Sequence, residues 1–301
     1  MRTCPFTFII KKAGYLIMGQ VDLHVHSTAS DGTFTPAELV RAAVKAELSA
    51  FALTDHDTVA GINEALKTAH GVIEVIPGIE ISTSWKDKEI HIVGLCIDYN
   101  DNDFLKAIGN EVSRRNERNL KLIDMFNEYG FPVTSEELTD MFPDSIITRA
   151  HFASYMVKKG YVKDNREAFA KYLGDGMPLY VPRERKSTCE AVDIIKKAKG
   201  AAILAHPLLY HLTGGELDSL CNELKSYGLT GIESMYSTYR GFDELTVRNL
   251  ARRYDLLESG GSDFHGANKP DIKLGCGRGN LMIGYSYLQA IKDSVNYVPS
   301  V

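Results

Sequence analysis

The segment Val21-Asp22-Leu23-His24-Val25-His26 alternates apolar and polar residues, the period of a strand. Thr35-Pro36-Ala37-Glu38 then forms a capping box with proline at the first helical position, which predicts a helix to about Leu48. Residues 50–53 read as a short buried strand ending in Thr54-Asp55-His56-Asp57. A helix to about His70 and strands over 72–76 and 90–97 follow.

The pattern changes between 102 and 185. This stretch is helical and charged, with Arg114, Arg115, Arg118, Lys121, Lys158 and Lys159, and no clear strand interrupts it. Alternation then resumes. Ser187 and Glu190 make a second capping box, Gly200 closes that helix, and 201–205, 231–235 and 256–259 read as buried strands. About seven strands alternating with helices predict a parallel, barrel-like α/β architecture. The expected organisation is an N-terminal extension (1–17), a first barrel part (18–101), a helical insertion (102–185) and a second barrel part (186–301). Residues 1–17 hold an apolar stretch too short for a secretory signal, with Met18 as a candidate start.

Composition narrows the function. The chain has 301 residues, 44% hydrophobic and 24% charged, with net charge −5. That balance argues against a partner such as long duplex nucleic acid. It leaves room for a small phosphorylated substrate, because bound metal ions supply positive charge locally. No apolar run reaches membrane-spanning length. Five scattered cysteines without a C-x-x-C pair disfavour a disulfide framework and a thiolate zinc site, and fit a reducing cytoplasm.

The chemistry lies in the polar residues at strand ends. His24 and His26, two apart on a strand, project to one face. Asp263 and His265 repeat that spacing after another strand. His56, Glu80 and His206 each follow a strand, Glu80 after an expected turn at Pro77-Gly78. Asp31 lies in the turn after the first strand, and His91 lies early in its own. In a parallel barrel the C-terminal strand ends share one face, so these residues would converge. Imidazole and carboxylate donors suit Mn, Fe or Zn. Six histidines and three carboxylates exceed the needs of one ion, which implies two or three divalent metal ions with Glu80 as a candidate bridge. Such a site suits hydrolysis of a phosphate ester by a metal-activated water, with no separate catalytic side chain assigned.

His24-x-His26, Thr54-Asp55-His56-Asp57, Pro77-Gly78-x-Glu80, Ala205-His206-Pro207 and Ser262-Asp263-x-His265 together resemble the ordered motifs of the PHP (polymerase and histidinol phosphatase) family. The resemblance implies a distorted, TIM-like (β/α)7 barrel with a trinuclear metal site. By it, His24, His26, Glu80 and Asp263 hold one ion, Glu80, His91 and His206 a second, and Asp31, His56 and His265 a third. Thr148-Arg149-Ala150-His151-Phe152-Ala153 is similar to the stand-alone phosphoesterases of the family, some of which act on nucleoside 3′,5′-bisphosphates or trim short RNA from the 5′ end. That implies a nucleotide or short-RNA substrate, with Arg149 and His151 on a substrate phosphate. One departure is Leu208-Leu209, where some nucleotidase members carry Gly-Arg, so a basic contact is missing there.

Alternatives remain: a histidinol-phosphate phosphatase, an amidohydrolase barrel, or a non-catalytic metal-binding module. The first two share the His-x-His opening or the family. The amidohydrolase lacks its bridging lysine here, and the module would have lost ligands. Among the other residues, His70 is expected as a solvated helix-end cation, His211 at the surface and Arg252-Arg253 on a solvated helix face. Trp85 is a base-stacking or a packing residue, and Lys269-Pro270 is a candidate anion guide.

Overall fold

The computed structural model describes residues 19–182 and 185–298, so the N-terminal extension lies outside the described residues. Eight strands form one sheet in the order β7-β6-β5-β4-β3-β2-β1-β8. They are β1 (Gln20–Val25), β2 (Ala50–Leu53), β3 (Glu74–Trp85), β4 (Lys88–Leu95), β5 (Ala201–Leu204), β6 (Gly231–Tyr236), β7 (Leu257–Gly261) and β8 (Ile283–Gly284). The expected barrel is present and nearly closed. The Asp263 amide donates to the His24 carbonyl at 2.8 Å and the His26 amide to the Phe264 carbonyl at 3.0 Å, tying the end of β7 to β1. Gly261 permits that approach, since a Cβ there would lie 2.3 Å from the His24 Cβ.

Two strand details differ from expectation. β3 does not stop at Ile76. Pro77 stays in register with Leu53 of β2, and the chain runs on to Trp85, so Glu80 is a mid-strand residue and not one that follows a turn. Gly78 allows this, because a Cβ would meet the Gly94 carbonyl oxygen at 2.9 Å. β4 is antiparallel to both neighbours. A two-residue turn, Lys86-Asp87, with φ of 47° and 64°, folds it back on β3 as a hairpin. β8, too short to read from pattern, pairs antiparallel with β1.

Period-two alternation sorts side chains between the layers. Ala201, Ile203 and Ala205 pack inside with Val93, Leu95, Val21 and Leu23, above Leu288 and Ile291 of α10 (Tyr285–Ser294). Ala202 and Leu204 pack outward against α7 (Thr188–Lys197), α8 (Gly214–Tyr227) and α9 (Asp243–Arg253). β1 departs from simple alternation. Its register with β2 shifts between Asp22 and Val25, so Val25 joins the outer layer with α1 (Pro36–Lys45) and α2 (Ile62–Ala69), whereas Val21 and Leu23 stay inside.

Between β4 and β5 lie α3 (Asn102–Glu128), α4 (Ser135–Met141), α5 (Arg149–Lys158) and α6 (Asn165–Ala168). These helices have their own core, in which Leu122, Phe126, Phe152, Tyr155 and Leu173 are fully buried. Among the described residues no helix is long and apolar enough to cross a membrane.

Candidate metal centre

Three aspartates beside the motif residues set the local backbone. Asp22 accepts from the amide and hydroxyl of Ser262 and from the Gly275 amide, fixing the loop that carries Asp263 and His265. Asp55 accepts from the Ser27 amide at 2.7 Å and from the Ser30 hydroxyl at 2.7 Å, fixing the loop that carries Asp31. Asp57 accepts from the Ser82 amide and pairs with the buried Arg115 of α3, which ties β3 to the helical insertion. Asp57, His206 and Asp263 all have positive φ, a costly conformation that the surrounding hydrogen bonds hold in place.

Glu80 is the centre of the cluster. Its Oε2 lies 3.3 Å from His24 Nε2, 3.3 Å from His26 Nε2 and 3.1 Å from His56 Nδ1. Its Oε1 lies 2.8 Å from His91 Nδ1 and 2.9 Å from His206 Nε2. Asp263 Oδ1 stands 3.4 Å from His26 Nε2, and Asp31 Oδ1 stands 3.2 Å from His265 Nε2. Donor atoms gather in four overlapping groups, each within 4.8 Å: His26, Asp31, His56 and His265; His24, Glu80 and His206; His24, His26 and Asp263; and His56, Glu80 and His91. All nine residues expected as ligands therefore come together, although His26 joins the Asp31 group, and His91 and His206 fall in separate groups around Glu80.

The residues fit metal ions. His24 Nε2 and His26 Nε2 face each other at 3.1 Å, and His24 Nδ1 is already engaged with Glu233. His26 Nδ1 and His206 Nδ1 are buried without a hydrogen-bond partner. Converging imidazole nitrogens, two of them without a hydrogen-bond partner, together with three carboxylates, are a donor set for divalent cations.

The charges of the cluster are mutually dependent. Burial opposes ionisation of Glu80, but His56, His24 and His91 hold its carboxyl well below the usual range. Burial likewise opposes ionisation of Asp263, and Lys269, His265 and His24 outweigh it. Burial disfavours charge on His91, yet Glu80 and Glu89 push its pKa up to about 10. His26 goes the other way, lowered well below its ordinary value by burial and by His265.

Several supporting residues escaped the sequence pattern. Glu233 on β6 is 1% exposed and accepts from His24 Nδ1 at 2.7 Å and from the His206 amide at 2.7 Å. Its only sequence signal was a lone carboxylate in an apolar strand. Tyr236 donates to Asp263 Oδ2, which Lys269 also reaches at 2.6 Å, so Lys269 stands at the cluster's edge. Glu89 contacts His91 Nε2 at 3.4 Å and holds Arg149 at 2.6 Å and Arg185 at 2.7 Å.

Arg149 and His151 sit on the first turn of α5, beside the cluster. The other arm of Arg149 reaches the exposed Asp175 at 3.2 Å. His151 accepts from the Thr148 amide at 2.9 Å and hydrogen-bonds the Ser30 backbone. Burial, with the charges of Arg115 and His56, pushes its pKa down to about 4. Thr148 Oγ1 lies 3.3 Å from Asp31 Oδ2. Trp85 proves a packing residue, 7% exposed, with its indole N–H on Glu223 at 2.8 Å. His70 and His211 are exposed, as expected.

Comparisons with known proteins agree with this geometry. The chain is 38% identical over 245 residues to a 5′-3′ exoribonuclease of Haemophilus influenzae, covering 81% of this chain and 89% of that protein. It is 34% identical over 257 residues to a 3′,5′-nucleoside bisphosphate phosphatase of Chromobacterium violaceum, covering 82% and 88%. A crystal structure from Bifidobacterium adolescentis, described as a metal-dependent phosphoesterase, superposes with a TM-score of 0.81 at 28% identity, covering 91% of this chain and 95% of that one. Residues 22–175 match the model of the PHP domain, and the chain belongs to the PHP domain family.

Proposed function

We propose that this chain is a metal-dependent phosphoesterase that hydrolyses a phosphate ester of a nucleotide or short RNA. The observation that carries this is Glu80, one buried carboxylate within 3.3 Å of five imidazoles. The relatives' names, an exoribonuclease and a nucleoside bisphosphate phosphatase, support the substrate class.

In this reading three ions are held, by His24, His26, Glu80 and Asp263, by Glu80, His91 and His206, and by Asp31, His56 and His265. Mn, Fe and Zn all suit the donors. Bound ions would supply Lewis-acid charge to the phosphoryl oxygens and lower the pKa of a water. The chain's own residues place the substrate. Arg149 offers a planar fork that matches a phosphate, and an incoming phosphate displaces the exposed Asp175 while Glu89 keeps the guanidinium in place. His151, neutral at pH 7, stands with it on the same helical turn. The helical insertion is the substrate-binding part, and a reducing cytoplasm is the setting we assign to the protein.

Release of phosphate from a nucleoside 3′,5′-bisphosphate, of nucleoside 5′-monophosphate from a 5′-phosphorylated RNA pentamer, and of phosphate from histidinol phosphate tests the proposal. EDTA should abolish release from the first two and Mn²⁺ should restore it, with metal content followed in parallel. Undiminished turnover after complete metal removal refutes the mechanism. Preference for histidinol phosphate refutes the substrate class.

A further inference from the structure

A cavity of about 440 Å³ opens beside the cluster, between α5, α6 and the loop after β7. Its volume falls within the roughly 300–1,000 Å³ of small-molecule pockets. Asn268 joins it to the metal centre. Its amide donates to the Asp31 carbonyl at 2.8 Å, and its Oδ1 lies 3.2 Å from the Ser154 hydroxyl and 3.3 Å from the Asn165 amide, both on the cavity wall.

The wall carries three cationic side chains, Lys158, Lys163 and Arg166, against two carboxylates, Asp164 and Asp271. Asp164 is occupied in accepting the Glu167 amide at 2.8 Å, and Asp271 is paired with Arg166. Lys158 and Lys163 are exposed on the wall and enter no ion pair among the described residues. Two exposed ammonium groups, Lys158 and Lys163, the latter also near the charge of Glu167, thus stand one hydrogen-bonded residue away from the loop of Asp31, in a chain of net charge −5. Lysine binds phosphate as a compact point charge. Among the described residues no aromatic side chain lines the cavity, so none of them offers a base a stacking surface there.

We propose that this cavity seats the nucleotide adjoining the scissile phosphate of a single-stranded RNA, with Lys158 and Lys163 on its backbone phosphate. The proposal rests on the phosphoesterase reading above and extends it to substrate length. A nucleoside bisphosphate has no residue to place there, whereas an oligonucleotide does.

Binding of a labelled, cleavage-resistant RNA pentamer, followed by fluorescence anisotropy on the Mn²⁺-loaded protein, tests it. The double variant Lys158→Ala/Lys163→Ala should raise the pentamer Kd by about tenfold and flatten its dependence on log salt by about 1.4, the value for two lost single-strand phosphate contacts. The inhibition constant of a nucleoside 3′,5′-bisphosphate should not move, and Lys158→Arg/Lys163→Arg should keep wild-type affinity. An unchanged pentamer Kd, or an equal rise for the bisphosphate, refutes the cavity assignment. This readout does not need turnover. Wild-type protein that binds RNA but releases neither phosphate from the bisphosphate nor nucleoside 5′-monophosphate from a cleavable pentamer refutes the phosphoesterase reading instead.

Discussion

The imidazole of His24 is used from both sides, with Nδ1 on Glu233 and Nε2 facing Glu80 and His26. A carboxylate behind a ligating histidine fixes its tautomer and raises its basicity, and its loss costs about 10–100-fold in metal affinity. Glu233→Gln keeps the shape but can present its N–H₂ to the imidazole, so affinity for Mn²⁺ should fall by about tenfold. Glu233→Ala, which also strips the acceptor from the His206 amide, should fall further. Competition against a chelating dye measures this. Full affinity in both variants would leave Glu233 as packing alone. The residue was not legible because nothing in Gly231-Ile232-Glu233-Ser234-Met235 pairs with it by spacing; His24 is 209 positions away. The convergence of the nine expected ligands, by contrast, was legible in part: His24-x-His26 obeys the strand period and His56, His206, Asp263 and His265 follow parallel strands, whereas Glu80 and His91 sit within β3 and β4.

At the scale of elements, the ion pair of Asp57 with Arg115 joins the loop after β2 to α3 through side chains that are 0% and 7% exposed. Removing one partner of such a pair leaves a buried charge and costs about 3–5 kcal/mol. Asp57→Ala should therefore destabilise the protein by about 3 kcal/mol in urea denaturation, and adding Arg115→Met should recover part of the loss. A double variant no more stable than the single one would show that the Ser82 amide, not the arginine, needs Asp57. Hydrophobic period identified the barrel strands, the capping boxes at Thr35 and Ser187, and the strandless insertion helices. It failed at β3, because Pro77-Gly78 is ordinarily a breaker. There, proline needs no ladder donor and glycine lies against the Gly94 carbonyl. It also failed to reverse β4, since Lys86-Asp87 carries none of the Asn-Gly signature of a tight hairpin.

Across the whole molecule, the cluster exchanges protons for metal ions. Without ions, the carboxylates of Asp31, Glu80 and Asp263 are balanced by imidazolium. Burial opposes that charge, but Glu233 and Glu80 raise His24 well above its ordinary value, and Glu80 raises His91 to about 10. Both are charged at pH 7 in the metal-free protein, and both must lose a ring proton to ligate. Loading with Mn²⁺ at pH 7 should accordingly release about two protons, read from the buffer dependence of the calorimetric heat. The stability follows with a definite sign. A histidine whose folded pKa is raised stabilises fully below about 6.5 and loses that contribution as pH climbs through the folded value. The metal-free protein should thus lose thermal stability between pH 7 and 10, while the loaded protein, whose imidazoles are already deprotonated, should hold its midpoint over that range. A metal-free midpoint that stays flat, or binding heat indifferent to the buffer, would mean that the cluster is neutral at rest and that ions are not what its carboxylates await.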